Sequence, residues 1–397
     1  MTTGPLAGCR IVELGGIGPG PFAGMLLADL GAEVVRIDRP EQLNDPDAGG
    51  PADVINRGKR SAVIDLKHPD GAATVLGLID RADALIEGFR PGVTERLGIG
   101  PHECLARNPR LVYGRMTGWG QDGPLSAAAG HDIGYIALTG ALGAIGDAGG
   151  PPQIPLNLLG DFGGGACYLV IGILAALHAA QRTGHGQVVD AAIVDGTTHL
   201  LASPLAKLAR GAWTDERGVN QLDGGWPFYA VYATRDGRHM AVGALEAKFY
   251  RQLIELLELD VDPEHQHDRS TWPELKSQLT QRFAERTRDE WAALFEGTDA
   301  CVAPVLGLTE AARHPHLAAR ASLLTRDGVV QPNAAPRFSA TPATPGAAAP
   351  RVGTDTAQVL RDWGIENVDA LITGGAAHCA DNTANREPNS PARGQIS

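Results

Sequence analysis

Two glycine-rich segments of the chain each carry one side chain that could transfer a proton. The first, residues 130–135, reads Gly-His-Asp-Ile-Gly-Tyr, and the second, residues 160–165, contains Asp161 before a run of glycines. An imidazole and a carboxylic acid that meet at one carbon atom can remove a proton from it and return one. Either residue alone has a simpler explanation, because histidine is common in turns and aspartate often caps a helix. The pair His131 and Asp161 therefore predicts proton chemistry.

Composition and charge limit the classes of protein to consider. The 397 residues predict two or three domains, and 43% hydrophobic with 20% charged residues is ordinary for a soluble globular protein. The net charge of −12 argues against a general binder of nucleic acid or of membrane surfaces, because phosphates would be repelled. A local basic pocket for one phosphorylated ligand remains compatible with this charge.

The cysteines and the N-terminus indicate a reducing compartment. The five cysteines are odd in number and scattered, without a CxxC pair or the Cys/His spacing of a metal site. Free thiols and no metal are therefore expected. Residues 1–5 lack the basic region and apolar run of a signal peptide, so a cytoplasmic location is expected. The uncharged run 162–177 is shorter than the roughly 20 residues that span a bilayer, which predicts a buried core helix and no membrane partner.

The first 115 residues alternate between strand-like and helix-like runs. This alternation predicts parallel strands joined by crossover helices, an α/β architecture. The turn at residues 15–21 resembles a dinucleotide-binding loop, but Pro19 and Pro21 remove N–H groups that a pyrophosphate would need. The predicted strands are Arg10–Leu14, Val34–Ile37, Ala62–Leu66, Ala84–Ile86 and Leu111–Arg115, and the predicted helices are Phe22–Leu30 and Gly71–Ile79.

The pattern changes near residue 225. A hairpin around Asp236-Gly237 and three helical runs then follow, which predicts a second, α+β domain over 225–330. Residues 331–353 are rich in proline and alanine and predict an extended connection, before a last helix at Thr356–Trp363. The polar stretch 374–397 predicts a disordered tail.

Three groups of charged residues could serve a ligand. The basic run 56–60 could grip phosphate through Lys59 and Arg60, and a solvated surface run explains it equally well. Asp161 precedes the apolar helix, so the helix dipole and free N–H groups are expected to favour its ionised form. Glu246 follows a strand-like run and could orient a histidine, although solvent exposure is the commoner position of a glutamate.

Further segments occur in an order typical of one enzyme family. The chain resembles the family III CoA-transferases (CaiB/BaiF) from Gly4 to about Trp363, and within them the α-methylacyl-CoA racemases. The landmarks are Gly4–Gly8, Glu13-Leu14, Gly18–Pro21, Val35–Pro40, Arg90–Val93, Met116–Gly120, Gly130–Asp132, Gly160–Gly165, Gln187–Gly196 and Pro336–Ser339.

This resemblance implies a fold and an assembly. A Rossmann-like large domain is implied over 1–224, completed by 331–373, beside the smaller α+β domain at 225–330. The family also implies a homodimer whose subunits interlock like rings. Its active site lies between the large domain of one subunit and the small domain of the other, and its substrate is an acyl-CoA thioester without a further cofactor.

The resemblance also assigns residues by position. His131 and Asp161 match the acid/base pair of the racemases, and Glu246 matches their supporting glutamate. Gly134 stands where asparagine is usual, so only backbone contacts are expected from it. The implied acyl-CoA contacts are Arg39, Lys59, Arg60, Ile64, Asp65, Leu66, Lys67, Arg90, Gly130, Asp132, Ile133, Gly134 and Tyr135.

Three functions follow from these residues. In a racemase, neutral His131 takes the proton of the 2-methyl carbon and protonated Asp161 returns one to the other face, through an enolate. A family III CoA-transferase would instead use Asp161 as a nucleophile, and a non-catalytic acyl-CoA-binding protein would use neither. His131 favours the racemase, because transfer between acids needs no second base at this position.

Overall fold

The computed structural model describes residues 3–380, which contain a seven-stranded sheet and two smaller sheets. The strand order in the large sheet is β12-β3-β2-β1-β4-β5-β6, where all neighbours are parallel except the pair β12 and β3. The strands from β1 to β6 are Arg10–Leu14, Glu33–Asp38, Arg60–Ile64, Ala84–Glu87, Val112–Thr117 and Val188–Ala192. The predicted α/β fold with a Rossmann-like sheet is confirmed.

Helices connect these strands and cover both faces of the sheet. The helices from α1 to α8 are Pro19–Asp29, Gly71–Ile79, Val93–Arg96, Pro101–Arg107, Asp132–Leu138, Cys167–Thr183, Ile193–Leu200 and Ala202–Ala209. Short 3₁₀ turns occupy Pro40–Asn44 and Val54–Asn56, and a π-helical segment, Leu158–Ala166, runs directly into α6. The segment 158–166 and α6 thus form one continuous helical stretch.

The strands read as apolar runs because side chains on both faces are buried. In β1, Val12 and Leu14 point into one core cluster with α2 and α4, whereas Ile11 points into the other with α1 and α6. This alternation follows from the two-residue period of a strand. The edge strand β6 is half exposed and carries little of this pattern, which is why the sequence did not predict it.

A three-stranded antiparallel sheet forms the centre of the second region. Its order is β7-β8-β9, and the turn at Asp236-Gly237 joins the first two strands as the sequence predicted. Phe228, Phe283 and Trp291 are fully buried in its core. The elements are β7 (Tyr229–Ala233), β8 (His239–Gly243), α9 (Ala247–Leu256), a 3₁₀ turn (Pro263–His265), α10 (Trp272–Phe283), α11 (Arg288–Phe295) and β9 (Val302–Pro304).

The C-terminal part of the described chain returns to the large sheet. Trp363 is buried, and Ala377 and His378 pair with Ile64 and Val63 of β3. The prediction of disorder from residue 374 is therefore wrong for residues 374–380, and residues 381–397 lie outside the described part of the chain. The remaining elements are α12 (Leu308–Ala311), α13 (Pro315–Ala319), β10 (Leu323–Arg326), β11 (Val329–Pro332), α14 (Thr356–Asp362), α15 (Val368–Thr373) and β12 (Ala377–His378).

The predicted burial of the long apolar helix is only half correct. Leu169 and Ile173 of α6 are fully buried, whereas Ile171 is 61% exposed. By length and hydropathy alone, the stretch Leu158–Thr183 would suffice to cross a bilayer, a property that it shares with core helices of soluble proteins. One face of this helix is thus left uncovered in a single chain.

Candidate active site

A pocket of about 470 Å³ lies at the carboxyl edge of the parallel sheet. The loops that follow β1, β4 and β5 line it, through Gly18, Arg90 and Trp119 among others. In the sheet, β1 and β4 are neighbours, and the strand order runs away from this pair in both directions. Ligands of doubly wound folds bind at such a reversal, outside the carboxyl ends of the strands.

His131 and Asp161 both line this pocket. The structure therefore brings together the two residues that the sequence singled out for proton transfer. His131 has extended backbone angles at the N-cap of α5, where its side chain makes no capping hydrogen bond. Its side chain is thus not committed to holding the helix, and it is exposed to the pocket.

Two glycines, one before His131 and one after β5, leave room for the Tyr135 ring in the pocket. A Cβ atom on Gly130 would lie 2.5 Å from the Tyr135 ring, and one on Gly118 would overlap the same ring. The ring also packs edge-on against Trp119, with 4.7 Å between ring centroids. Burial raises the pKa of the Tyr135 hydroxyl, and the nearby Asp161 adds to the rise while Arg90 opposes it.

Glycines likewise allow close approach to Asp161. A Cβ atom on Gly18 would lie 3.1 Å from Asp161 Oδ2, and one on Gly160 would overlap the Asp132 carboxylate. Phe22 of α1 stacks on Phe162 with 4.1 Å between ring centroids, which joins α1 to the π-helical segment. Asp161 is thus closely packed between α1, α5 and the start of the long helix.

The environment of Asp161 favours its protonated form. Burial raises the pKa of this carboxyl, the negative charge of Asp132 raises it further, and a hydrogen bond from Asn157 and the neighbouring His131 act in the opposite direction. The expectation that the helix start would favour the ionised form is therefore wrong. Desolvation of this half-buried carboxyl and the nearby Asp132 carboxylate cause the rise.

Two arginines at the sheet edge are free to bind anions. Arg39 follows β2 and lies over the Phe89 ring, 5.6 Å from its centroid, and both Phe89 and Arg90 line the pocket. Within residues 3–380, neither arginine has a carboxylate within 4 Å. Unpaired guanidinium groups of this kind suit the phosphates of a CoA ligand.

The end of β3 contributes residues of two kinds. Ile64 is buried in the sheet, whereas the Lys67 side chain is 83% exposed and lies 3.7 Å from Glu41. Between them, Asp65 accepts a hydrogen bond from the Lys67 backbone N–H through Oδ1, at 2.9 Å. These residues and Leu66 share the carboxyl edge of the sheet with Arg39, although they do not line the pocket.

The structure overturns the assignment of Lys59 as a phosphate contact. The Lys59 ammonium is buried and donates to Glu13 Oε1 at 2.9 Å and to the carbonyl of Pro21 at 2.8 Å. The Arg60 guanidinium is also occupied, because it pairs with Glu33 and Asp362. The basic run is therefore neither a phosphate grip nor a solvated surface run: it binds carboxylates that come together only in the fold.

Glu246 does not meet His131 within one chain. It is exposed at the N-cap of α9 and is absent from the pocket lining. The role that the family resemblance gives it requires a second subunit, so it stays a prediction. Sequence reasoning missed Asn157, although its place one helical turn before Asp161 was a usable signal.

The pocket is thus equipped for acid/base chemistry. It combines an imidazole, a carboxyl with a raised pKa and, at the start of α5, backbone N–H groups without partners inside the helix. In the described residues 3–380, no three His, Cys, Asp or Glu side chains converge as metal ligands would. Proton abstraction beside a carbonyl is a reaction that this set of groups can perform.

Comparison with known proteins identifies the family of the chain. The α-methylacyl-CoA racemases of mouse and human are each 46% identical to this chain, over 92% and 91% of its length and over 95% and 94% of theirs. A crystal structure of a CaiB/BaiF family protein from Brucella suis superposes with a TM-score of 0.77, at 26% identity, over 91% of this chain and 100% of that one. The model of CoA-transferase family III matches residues 6–356, and the chain therefore belongs to that family.

Proposed function

We propose that this protein is an α-methylacyl-CoA racemase, an isomerase that interconverts the (2R) and (2S) forms of 2-methylacyl-CoA thioesters. The observation that carries the proposal is the shared pocket of His131 and Asp161, in a chain 46% identical to racemases over most of its length. A CoA-transferase needs only the carboxylate of this pair.

The reaction follows from the protonation states of the two residues. Neutral His131 takes the α-proton from one face, and Asp161 supplies a proton to the other face. Burial and the charge of Asp132 both raise the pKa of Asp161, which favours the protonated form that this step needs. The opposite enantiomer reverses these roles. Positioned proton transfer of this kind accelerates a reaction by roughly 10²–10⁴-fold. Free N–H groups at the start of α5 stabilise the enolate oxygen, and each such donor contributes about 10²–10³-fold.

The CoA moiety supplies binding energy far from the reacting carbon. Arg39 and Arg90 carry unpaired positive charge at the edge where the pocket opens, and they suit its phosphates. This binding holds the 2-methyl carbon between the acid and the base, which lowers the entropic cost of reaction. We propose that the reaction uses no cofactor other than the CoA of the substrate. We also propose that the protein is located in the cytoplasm.

A second copy of the chain completes the proposed enzyme. Helices α5 to α8 and the segment between α5 and α6 leave large apolar side chains exposed, and groups of exposed apolar side chains are typical of interaction sites. An interlocked homodimer would cover them and could bring Glu246 to the pocket of the other subunit. The uncovered side chains include Leu138, Leu156, Leu158, Ile171 and Leu205, each at least 49% exposed.

Incubation of one enantiomer in deuterated buffer tests the proposal. The racemase incorporates deuterium at the 2-position and loses optical purity with no acceptor acid present. A CoA-transferase instead requires an added acid and forms a trappable thioester on Asp161. If neither reaction occurs with any 2-methylacyl-CoA while the thioester still binds, the protein is a binding protein and the proposal is wrong.

A further inference from the structure

The carboxylate of Asp132 is connected to both acid/base residues. It follows His131 directly in the chain, as the first residue of α5. Its Oδ1 accepts the backbone N–H of Asp161 at 2.6 Å, across a separation of 29 residues. This single side chain therefore ties the helix that presents the imidazole to the helix that presents the acid.

The second oxygen of Asp132 has no such use. Oδ2 is buried and has no hydrogen-bond partner within residues 3–380, and no basic side chain there lies within 4 Å of this carboxylate. Gly160 packs so closely that any Cβ atom at this position would overlap Asp132. A buried carboxylate oxygen without a partner is costly, so its retention beside a reactive pocket calls for a functional reason.

The other groups around Asp161 do not supply the same effect. From α5 it faces His131 and Tyr135, and His131 acts on the Asp161 pKa in the direction opposite to Asp132. Arg90, from the loop after β4, faces the Tyr135 hydroxyl. The loop before α1 brings Gly18 close to the Asp161 carboxyl, and this residue carries no charge. Asp132 is thus the one acidic neighbour in the described chain that acts on Asp161.

We propose that Asp132 is a positioning residue of the reaction: its carboxylate fixes Asp161 through the backbone and disfavours a second negative charge beside it. Asp161 is thereby held closer to its protonated form, which is the form that returns a proton in one direction of the reaction. This inference rests on the proposed racemase function and adds to it a residue that acts through Asp161.

The variant Asp132→Asn separates charge from attachment. Its amide oxygen can still accept the Asp161 N–H, but the negative charge is lost. We expect the alkaline limb of the pH profile of kcat/KM, where Asp161 loses the proton that it must donate, to move down by about one pH unit, since removal of the like charge lowers the pKa of this carboxyl. Asp132→Ala, which also removes the acceptor, should show the same shift and at least a further tenfold loss of kcat.

The controls separate this role from a structural one. Asp369→Asn removes a carboxylate that is 88% exposed and paired with Arg361, and neither limb should move. If Asp132→Asn does not fold, Asp132→Ser keeps a neutral acceptor and should show the same shift. A loss of activity that is equal at every pH, or no change at all, overturns the proposal. Failure of the wild-type protein to exchange the α-proton would instead overturn the racemase function itself.

Discussion

Replacement of Gly18 by alanine tests whether the turn after β1 positions the catalytic acid. Gly18 has φ 69° and ψ −122°, and a non-glycine residue held at positive φ of this kind costs about 1–3 kcal/mol. The new Cβ atom would also lie 3.1 Å from Asp161 Oδ2, closer than an ordinary van der Waals contact. Backbone strain and displacement of the carboxyl group are therefore both expected.

The two effects appear in different measurements. Strain lowers the free energy of unfolding by about 1–3 kcal/mol, which denaturant titration measures. A displacement of Asp161 by about 1 Å lowers kcat by up to roughly 10²-fold, because proton transfer depends steeply on position. The KM for acyl-CoA should change little, since Arg39 and Arg90, the proposed phosphate contacts, come from the loops after β2 and β4 and not from this turn. Epimerisation followed by chiral analysis gives both kinetic constants.

Gly16→Ala is the matched control. Gly16 precedes the same helix, but the nearest atom to its new Cβ would be the Leu14 carbonyl oxygen at 4.0 Å, and its φ is not positive. It should retain kcat within about twofold and stability within about 0.5 kcal/mol. Full activity of Gly18→Ala, or an equal loss in both variants, would refute the role given to this turn.

Three further variants test the charges. Lys59→Met leaves Glu13 buried without its partner, so the free energy of unfolding should fall by about 3–5 kcal/mol with the KM for acyl-CoA unchanged; a raised KM in folded protein would restore the phosphate-contact assignment. Arg90→Met should do the reverse, with KM raised roughly tenfold and stability within about 0.5 kcal/mol; equal KM would exclude Arg90 from binding. Asp161→Asn should abolish racemisation, and it should raise Tm at pH 7 but not at pH 3. The pKa of Asp161 is higher in the folded than in the unfolded chain, so ionisation of this carboxyl disfavours the folded state above the unfolded pKa of about 3.9. Equal Tm shifts at both pH values would contradict the raised pKa.

The sequence predicts most of the fold because its strands are apolar on both faces. The boundaries of Arg10–Leu14 and Gly71–Ile79 agree residue for residue with the structure. The edge strands β6 and β12 escaped prediction, since an edge strand buries little and carries a weak pattern. The sequence also did not predict the exposed face of α6, because an apolar helix looks the same in sequence whether its own chain or a second chain buries it.

The candidate site was predictable in part. His131 and Asp161 could be chosen from residue type and glycine context, and the structure brings both to one pocket. Lys59 could not be judged from its neighbours in the chain, because its partner Glu13 lies 46 residues away. The pKa of Asp161 depends on Asp132 and on burial, and both effects exist only after the two helices meet.

Variants that keep only one of the two acid/base residues test whether His131 and Asp161 act on opposite faces of one carbon. In deuterated buffer, His131→Asn should exchange the α-hydrogen of one enantiomer only, without inversion, and Asp161→Asn should exchange only the other. Proton NMR measures the exchange, and chiral analysis of the recovered thioester measures inversion. Exchange of the same enantiomer by both variants, or of both enantiomers by either one, would show that the two residues do not act on opposite faces.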